Sequence, residues 1–224
     1  MKRVGILGGM GPEATVLLMQ KVIAATPARD DADHIPLIVD QNPQVPSRIR
    51  HLIEGTGEDP GPVLAAMARR LRAAGAEALA MPCNTAHHYA GAIRAAVDLP
   101  LIDMVALSVA HAARLAGRGG TVGILASPAV RRIGLFDPAF AAAGLTPAYA
   151  RDEDAMLTTI RLIKANGATA AARAALAAAS AELLGRGAEV QLIACTEFSL
   201  IADAADPGAK AVDTLDLLAA GIIA

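Results

Sequence analysis

Two cysteines carry the most reactive side chains of this 224-residue chain, and they are its only cysteines. Cys83 follows an apolar run at residues 78–82, and Cys195 follows a second apolar run at residues 190–194. Each thiol therefore lies where a predicted strand ends and a helix can begin. The N–H groups and the dipole at a helix N-terminus stabilise an anion, so this position favours thiolate over thiol.

The chain contains an internal repeat that gives each cysteine an equivalent position. The run Val-Gly-Ile-Leu occurs at residues 4–7 and again at 122–125, and a cysteine follows each copy at nearly the same spacing. An apolar residue followed by aspartate, at Asp103 and Asp213, then follows each cysteine. These landmarks indicate two copies of one supersecondary plan. Two such thiols suit a symmetric reaction, in which one base removes a proton from a carbon and the other group delivers a proton to the opposite face.

Composition and charge restrict the class of protein. The net charge is −2 and no Lys/Arg-rich run is present, so the chain lacks the field that would attract nucleic acid. The first residues lack the apolar length of a signal peptide, and no run of about 20 apolar residues could cross a bilayer. We expect a cytoplasmic protein whose thiols stay reduced, which makes a structural Cys83–Cys195 disulfide the less favoured alternative.

Short β-rich runs alternate with longer helical runs along the chain. The predicted strands are residues 3–7, 35–40, 77–81, 101–102, 121–125, 145–149, 189–194 and 211–212. The predicted helices are residues 12–25, 62–74, 86–96, 104–116, 130–143, 153–165, 168–184 and 214–223. Gly75, Gly144 and Gly187 lie where three of these helices are expected to end.

This alternation predicts an α/β fold with parallel sheets flanked by helices. Together with the internal repeat it predicts two pseudo-symmetric α/β domains. Residues 1–102 plus 213–224 form the first domain, and residues 103–212 form the second. Ligands of open α/β sheets bind beyond the carboxyl ends of the strands. Both cysteines lie at such ends, so we expect the active site in the cleft between the domains.

A glycine-rich turn at residues 8–15 leads from the first predicted strand into the first helix. Such a loop can bind phosphate or carboxylate on its backbone N–H groups. It does not fit the dinucleotide fingerprint, because the third glycine is missing and the strand-end Asp40 comes too late, and it lacks the Lys-Ser/Thr pair of a P-loop. The alternative is a tight turn that packs closely, and the sequence leaves both interpretations open.

Two cations lie where they could bind a carboxylate. Arg48 lies in a loop with two prolines after the second predicted strand, where a guanidinium can form two parallel hydrogen bonds with a carboxylate. The alternative for Arg48 is a solvated surface arginine. Lys164 lies in the last turn of a predicted helix, a position that ordinarily serves to cap the helix dipole.

Two other kinds of site have weaker support. His87 and His88 lack the spacing of metal ligands and no further ligands are visible, so no metal site is predicted. A hydrolase with a catalytic cysteine would need a histidine base close to the thiol. His87 is the candidate base for such a scheme, but the scheme leaves Cys195 without a role.

Five motifs extend from the first strand to the second cysteine. They are GGMGPEAT at residues 8–15, NPxxPSR at 42–48, PCNTAH at 82–87, IKxxG at 163–167 and CTEF at 195–198. As a set they resemble the cofactor-independent aspartate/glutamate racemase family, and most closely its aspartate racemase branch. The glycine-rich loop alone would not identify this family, whereas the combination is highly specific.

The resemblance implies two α/β domains, commonly in a homodimer, and an isomerase that uses neither pyridoxal phosphate nor a metal. It implies an acidic amino acid as substrate, with aspartate as the first choice, and it makes Cys83 and Cys195 the opposed acid and base. The substrate-binding residues that follow are Asn84, Thr85 and Thr196 at the α-carboxylate and amino group, and Arg48 and Lys164 at the distal carboxylate. We add four further residues to the predicted substrate-binding set because they lie in the matched motifs: Met10, Asn42, Ser47 and Glu197.

The chain departs from the family's pattern after the second Val-Gly-Ile-Leu run. Val130, Ile133 and Phe136 stand where the family usually has hydroxyl-bearing residues. We therefore expect residues 126–136 to form an apolar wall of the cleft that weakens the hold on aspartate or accepts a bulkier substrate. Other functions also stay open: a maleate isomerase or a hydantoin racemase of the same superfamily, or a catalytically silent amino-acid-binding protein with this fold.

Overall fold

The computed structural model describes residues 2–224 and divides the chain into two compact units. The first unit comprises the residues up to Met104 together with Leu215–Ala224, and the second unit is Val105–Thr214. Each unit contains one four-stranded parallel sheet, and the two strand orders, β2-β1-β3-β4 and β6-β5-β7-β8, are the same order in successive copies. The predicted α/β fold with two repeated parallel sheets is confirmed.

The first sheet is covered by helices on both faces. Its strands are β1 (Val4–Gly8), β2 (Leu37–Gln41), β3 (Ala78–Ala80) and β4 (Leu101–Ile102). Its main helices are α1 (Pro12–Ala25), α2 (Gly61–Ala73), α3 (Ala90–Ala96) and α9 (Thr214–Ile223). Shorter turns of helix lie at Asp31–Asp33, Arg50–Glu54 and Thr85–Tyr89. Alternate strand residues point to opposite faces, so Ile6 and Ala80 pack with α1 and α9, whereas Leu7 and Leu79 pack with α2 and α3.

The second sheet repeats this arrangement with its own helices. Its strands are β5 (Thr121–Leu125), β6 (Thr146–Tyr149), β7 (Val190–Ile193) and β8 (Lys210–Asp213). The helices are α4 (Met104–Ala116), α5 (Pro128–Arg132), α6 (Asp137–Ala143), α7 (Glu153–Asn166) and α8 (Ala170–Gly185), with a 3₁₀ segment at Phe198–Ala204. Ile124 and Leu192 pack with α4 and α6, whereas Leu125 and Ile193 pack with α7 and α8.

All eight predicted strands are present, with ends that differ from the predictions by at most a few residues. Two predicted helices are not continuous. The helix expected at 86–96 consists of a 3₁₀ segment followed by α3, and the helix expected at 130–143 is divided into α5 and α6. Gly134 has φ +59 and ends α5, because this left-handed conformation cannot continue a right-handed helix. The glycines predicted at helix ends, Gly75, Gly144 and Gly187, all have positive φ.

The longest helix in the described part of the chain is α8, with 16 residues. No helix among residues 2–224 combines the length and the apolar character that a membrane crossing needs.

We predicted that residues 126–136 form an apolar wall of the cleft, with Val130, Ile133 and Phe136 as its side chains. This prediction is wrong for two of the three. Val130 and Phe136 are fully buried in a core cluster with Ile124 and Phe140, and the rings of Phe136 and Phe140 lie 5.7 Å apart. Ser127 caps α5 by accepting a hydrogen bond from the amide of Ala129. Val130 and Phe136 therefore stabilise the second unit and form no surface for a ligand, because both side chains are fully enclosed in its core.

Val130→Thr should therefore destabilise the protein rather than improve its activity. The added hydroxyl would be buried among apolar side chains, which costs about 1–3 kcal/mol when it lacks a good partner. Urea unfolding measures this loss as a lower midpoint at unchanged slope. Leu115→Thr is the control, because Leu115 lies on α4 and is 43% exposed. Equal unfolding midpoints for the two variants would contradict the buried position of Val130.

Candidate active site

Cys83 lies at the carboxyl end of β3, within a turn held by backbone hydrogen bonds. Its N–H donates to the carbonyl of Met81 at 2.8 Å, and its carbonyl accepts from Nδ1 of His87 at 2.8 Å. Asn84 and Thr85 follow directly and are buried, and the amide of His87 donates to the carbonyl of Asn84 at 3.0 Å. The turn thus places the thiol and two predicted substrate-binding residues together where the strand ends.

His87 is fixed by hydrogen bonds at both ring nitrogens. Nδ1 donates to the carbonyl of Cys83, and Nε2 accepts from the amide of Met104 at 3.2 Å. Burial lowers the pKa of His87, outweighing the opposing effects of the Cys83 carbonyl and Asp103. The imidazole is therefore neutral and has no nitrogen left for the thiol, so the arrangement does not support a hydrolase with His87 as its base.

Cys195 lies at the carboxyl end of β7, which is the strand equivalent to β3. Its thiol donates a hydrogen bond to Oε2 of Glu197 at 3.0 Å. The other carboxylate oxygen, Oε1, forms an ion pair with the ammonium of Lys164. The side chain of Lys164 is 42% exposed, whereas that of Glu197 is 12% exposed. Thiol, carboxylate and ammonium thus form a continuous chain that ends at partly exposed Lys164.

The protonation state of Cys195 differs from the thiolate that its helix-end position led us to expect. Burial raises the pKa of this thiol well above its ordinary range, and the negative charge of Glu197 raises it further. The amide of Glu197 and the charge of Lys164 act in the opposite direction but do not offset these effects. At neutral pH Cys195 is therefore a thiol, because burial outweighs the local helix-end donors.

Two of the predicted substrate-binding residues in this unit already have partners of their own. Lys164 pairs with Glu197, and Glu197 accepts from the thiol, so the carboxylate bridges the other two groups. Lys164 does lie in the last turn of α7, as expected for a dipole-capping residue. Thr196 is buried between Cys195 and Glu197 along the chain.

The Arg48 loop is ordered by hydrogen bonds within the loop itself. Nη1 of Arg48 donates to the carbonyls of Pro46 at 2.9 Å and Val45 at 3.3 Å, and the side chain is half-buried. Ser47 is exposed, and its Oγ accepts from the amide of Arg50 at 3.3 Å. Asn42 is part-buried and its Oδ1 accepts from the amide of Gln44 at 3.0 Å. These bonds hold the guanidinium in place, whereas Ser47 and Asn42 stabilise turns.

The glycine-rich turn packs closely against the Arg48 loop. A Cβ atom at Gly9, whose φ is +93, would lie 2.4 Å from the carbonyl carbon of Asn42, so only glycine fits there. The amide of Gly9 donates to Oγ1 of Thr15 at 2.9 Å. Met10 is buried in the same core cluster as Cys83. These contacts favour the tight-turn interpretation, and they place the Met10 side chain in the core cluster that also contains Cys83.

Tyr89 is a residue of this region that the sequence analysis missed. Its ring contacts those of His51 and His88 edge-on, with centroids 5.9 and 5.0 Å away. Burial raises the pKa of Tyr89 to about 12, and Asp59, Arg48 and Cys83 are close enough to contribute. The signal in the sequence was weak, because a single tyrosine next to two histidines has no recognisable motif.

The described residues contain no group of three or more His, Cys, Asp or Glu side chains that could hold a metal ion. Within residues 2–224, the candidate site residues fall into two groups, one in each unit. Cys83, Asn84, Thr85 and Arg48 belong to the first unit, and Cys195, Thr196, Glu197 and Lys164 belong to the second.

Comparison with known proteins agrees with this fold and with the motifs. The family model described as Asp/Glu/Hydantoin racemase matches residues 7–222. Among solved structures, the aspartate racemase of Picrophilus torridus is 26% identical, with a TM-score of 0.88 over 100% of this chain and 93% of that chain.

Two more distant structures share the fold. An aspartate racemase homologue of Pyrococcus horikoshii OT3 is 22% identical, with a TM-score of 0.72 over 100% of this chain and 98% of that chain. The glutamate racemase of Francisella tularensis, solved with D-glutamate, is 15% identical, with a TM-score of 0.65 over 98% of this chain and 78% of that chain.

The charges beside Cys195 predict two opposite shifts in thiol reactivity. Glu197→Gln removes a negative charge and should lower the pKa of Cys195, whereas Lys164→Met removes a positive charge and should raise it. A charge at this distance shifts a pKa by roughly one unit or more. The pH dependence of iodoacetamide alkylation at Cys195, followed by peptide mass, measures both shifts. Glu189→Gln is the control, since Glu189 is exposed and pairs with Lys210. Shifts in the same direction would contradict the proposed charge arrangement.

Proposed function

Because the chain belongs to the Asp/Glu/Hydantoin racemase family, we propose that it is a cofactor-independent amino-acid racemase whose substrate is aspartate. One observation carries the proposal above all others. The two cysteines of the chain occupy equivalent positions, at the carboxyl ends of β3 and β7 in two sheets of identical strand order. A repeated fold that supplies one thiol from each copy suits a reaction with two opposed proton-transfer groups.

The choice of aspartate rests on the most similar structure reported above and on the charges of the site. The Picrophilus torridus protein is named an aspartate racemase and matches this chain over its full length. Arg48 provides a half-buried guanidinium, fixed in its loop, that suits a side-chain carboxylate. Glutamate is the nearest alternative, because it differs from aspartate by one methylene group and carries the same charges.

In the proposed mechanism one thiolate takes the α-proton and becomes a thiol, leaving a carbanion. The opposite thiol then gives its proton to the other face of the α-carbon and becomes a thiolate. This requires the two thiols to reach the same carbon from opposite sides. After one turnover the two cysteines have exchanged protonation states, so the enzyme is ready for the reverse direction without a further reagent.

Cys195 is suited to start as the acid, because burial and Glu197 keep it protonated. Glu197 accepts a hydrogen bond from this thiol at 3.0 Å and its negative charge raises the thiol pKa, so it favours the protonated form that can give a proton to the substrate. Lys164 pairs with Glu197 and offsets part of the negative charge that a thiolate would add. We therefore propose that Glu197 holds Cys195 in its proton-donating form, in place of the substrate-binding role predicted from its motif.

The α-proton of an amino acid is too weakly acidic for a thiolate alone, so the carbanion must be stabilised by the site. Buried hydrogen-bond donors aimed at the substrate α-carboxylate provide this stabilisation in a water-poor environment. Asn84 and Thr85 beside one thiol, and Thr196 beside the other, are buried polar residues that suit this role. The substrate's own ammonium lowers the barrier further.

Arg48 is the principal binder of the distal carboxylate in this proposal. A guanidinium has five N–H donors, which is more than the bonds from Nη1 to Pro46 and Val45 use. Lys164 is already paired with Glu197, so it contributes to this carboxylate mainly through its charge.

A cytoplasmic location and a homodimer are also part of the proposal. The large apolar side chains of Val16 and Ile23 are exposed on α1 and lie two turns apart on the same face. An exposed apolar pair of this kind suits contact with a second copy of the chain.

Replacing either cysteine should abolish racemisation. Cys83→Ala and Cys195→Ala each remove one of two obligatory proton-transfer groups, so we expect a loss of at least about a thousandfold. The double variant should lose little more than either single variant. Incubation with L-aspartate in D₂O measures the reaction through α-deuterium and the formation of D-aspartate.

The same experiment separates racemisation from the alternative functions. Wild-type protein that binds aspartate tightly without α-deuterium exchange would be a binding protein, and the proposal would fail. Isomerisation of maleate without action on aspartate would also exclude it. A single cysteine variant that keeps near-normal turnover in both directions would show that the two-base mechanism is wrong.

Arg48→Ala should raise KM for aspartate much more than KM for alanine. A lost charged hydrogen-bond pair costs about 1.5–3 kcal/mol, which corresponds to roughly ten- to a hundredfold in KM. Initial rates with the two substrates give this ratio. Arg50→Ala is the matched control, because Arg50 is an exposed arginine in the same segment. Equal effects of Arg48→Ala on both substrates would place Arg48 outside the side-chain site.

A further inference from the structure

The residue four positions after each cysteine connects the cysteine turn to the end of the next strand. In the first unit this residue is His87, which contacts the Cys83 carbonyl and the amide of Met104. Met104 is the first residue of α4 and is separated from the end of β4 by Asp103 alone. The imidazole thus connects the segment that follows β3 to the segment that follows β4.

The second unit makes a similar connection through the backbone amide and the hydroxyl of Ser199. The amide of Ser199 donates to the carbonyl of Cys195 at 3.2 Å, and its hydroxyl donates to Oδ1 of Asp213 at 2.7 Å. Asp213 is the last residue of β8, and its equivalent in the repeat is Asp103, the residue before Met104. In both units the cysteine turn is therefore connected to the segment that ends the following strand, although the groups that make the connection differ.

The contacts of His87 select one form of the ring. Nδ1 faces a carbonyl oxygen and must carry a proton, whereas Nε2 faces an N–H group and must offer its lone pair. Only the neutral Nδ1–H tautomer satisfies both partners. A second proton on Nε2 would turn the acceptor for the α4 amide into a donor that faces another donor.

We propose that His87 is a positioning residue, which holds the Cys83 backbone against the start of α4 and does so only as the neutral Nδ1–H imidazole. Its effect on turnover rests on the proposed function, because it acts through Cys83. The connection itself does not rest on that function, since it concerns the geometry of the Cys83 turn.

The charged groups around His87 give the direction of its pH dependence. Asp103 favours the protonated imidazole and Arg94 opposes it, and these two side chains pair with each other at 2.8 Å. Burial is the largest effect and lowers the pKa of His87 below the ordinary value of about 6.5. The stabilisation from His87 is therefore complete above about pH 6.5 and is lost as the pH falls through the lowered pKa.

Two substitutions separate positioning from simple packing. His87→Asn keeps a donor near the place of Nδ1, so it can still bind the Cys83 carbonyl, but it cannot titrate. His87→Phe keeps the ring volume and loses both hydrogen bonds. We expect His87→Phe to lower kcat by roughly ten- to a hundredfold with little change in KM, because a small displacement of a proton-transfer group is costly. His87→Asn keeps the bond to the Cys83 carbonyl and loses the bond to the amide of Met104, so its kcat should lie between those of wild type and His87→Phe.

Two readouts are independent of racemisation. The rate of iodoacetamide alkylation at Cys83, followed by peptide mass, should change several-fold in His87→Phe and little in His87→Asn. The unfolding midpoint in urea should fall less between pH 7.5 and pH 5 in either variant than in wild type, because the titrating group is gone. His88→Asn is the matched control, since His88 is the exposed neighbouring histidine.

The outcomes distinguish this inference from the proposed function. If wild type fails to racemise any amino acid, the proposed function fails, while the alkylation and unfolding readouts still test His87. Wild-type kcat and wild-type Cys83 alkylation in folded His87→Phe would overturn the positioning role. If His87→Phe does not fold, His87→Asn decides alone: an unchanged pH dependence of unfolding, or wild-type kcat, would overturn the proposal.

Discussion

The structure depends on a constraint of parallel sheets that are buried on both faces. The residues of β3 and β7 are buried along their whole length, so these strands cannot present polar chemistry until they end. Each strand is followed almost at once by a cysteine and by small polar residues that begin a turn. The carboxyl end of the strand is therefore the place where reactive groups can emerge from an aliphatic core.

The two copies of this plan surround their thiols with different partners. Beside Cys195 a carboxylate and an ammonium are arranged in series, and burial keeps the thiol protonated. Around Cys83 the fixed partner is a neutral imidazole that binds the backbone carbonyl and not the thiol. Equivalent backbone positions thus give the two thiols chemically different surroundings, which suits the proposed reaction with one acid and one base in a given direction.

Much of the fold could be predicted because its signals are local. Alternating strand and helix runs, glycines at helix ends and the repeated Val-Gly-Ile-Leu run each depend on a few neighbouring residues. The break between α5 and α6 could not be predicted from periodicity, because Gly134 adopts a left-handed conformation inside an otherwise helical pattern. The burial of Val130 could not be predicted either, because it depends on packing against Ile124 and Phe140, which lie on other elements.

The residues around the thiols show the same limit at the level of chemistry. The motifs located Glu197 and Lys164 but could not show that the two side chains pair, since they lie on separate elements and the pairing depends on the packing of α7 against the end of β7. We expected a thiolate at Cys195 from its position at a helix end and left out the cost of burying a charged sulfur. In an apolar cluster this cost exceeds the stabilisation that the helix-end donors provide. Position along the chain thus identified the candidate groups, whereas burial and the partners brought by tertiary packing determine the charge that each group carries.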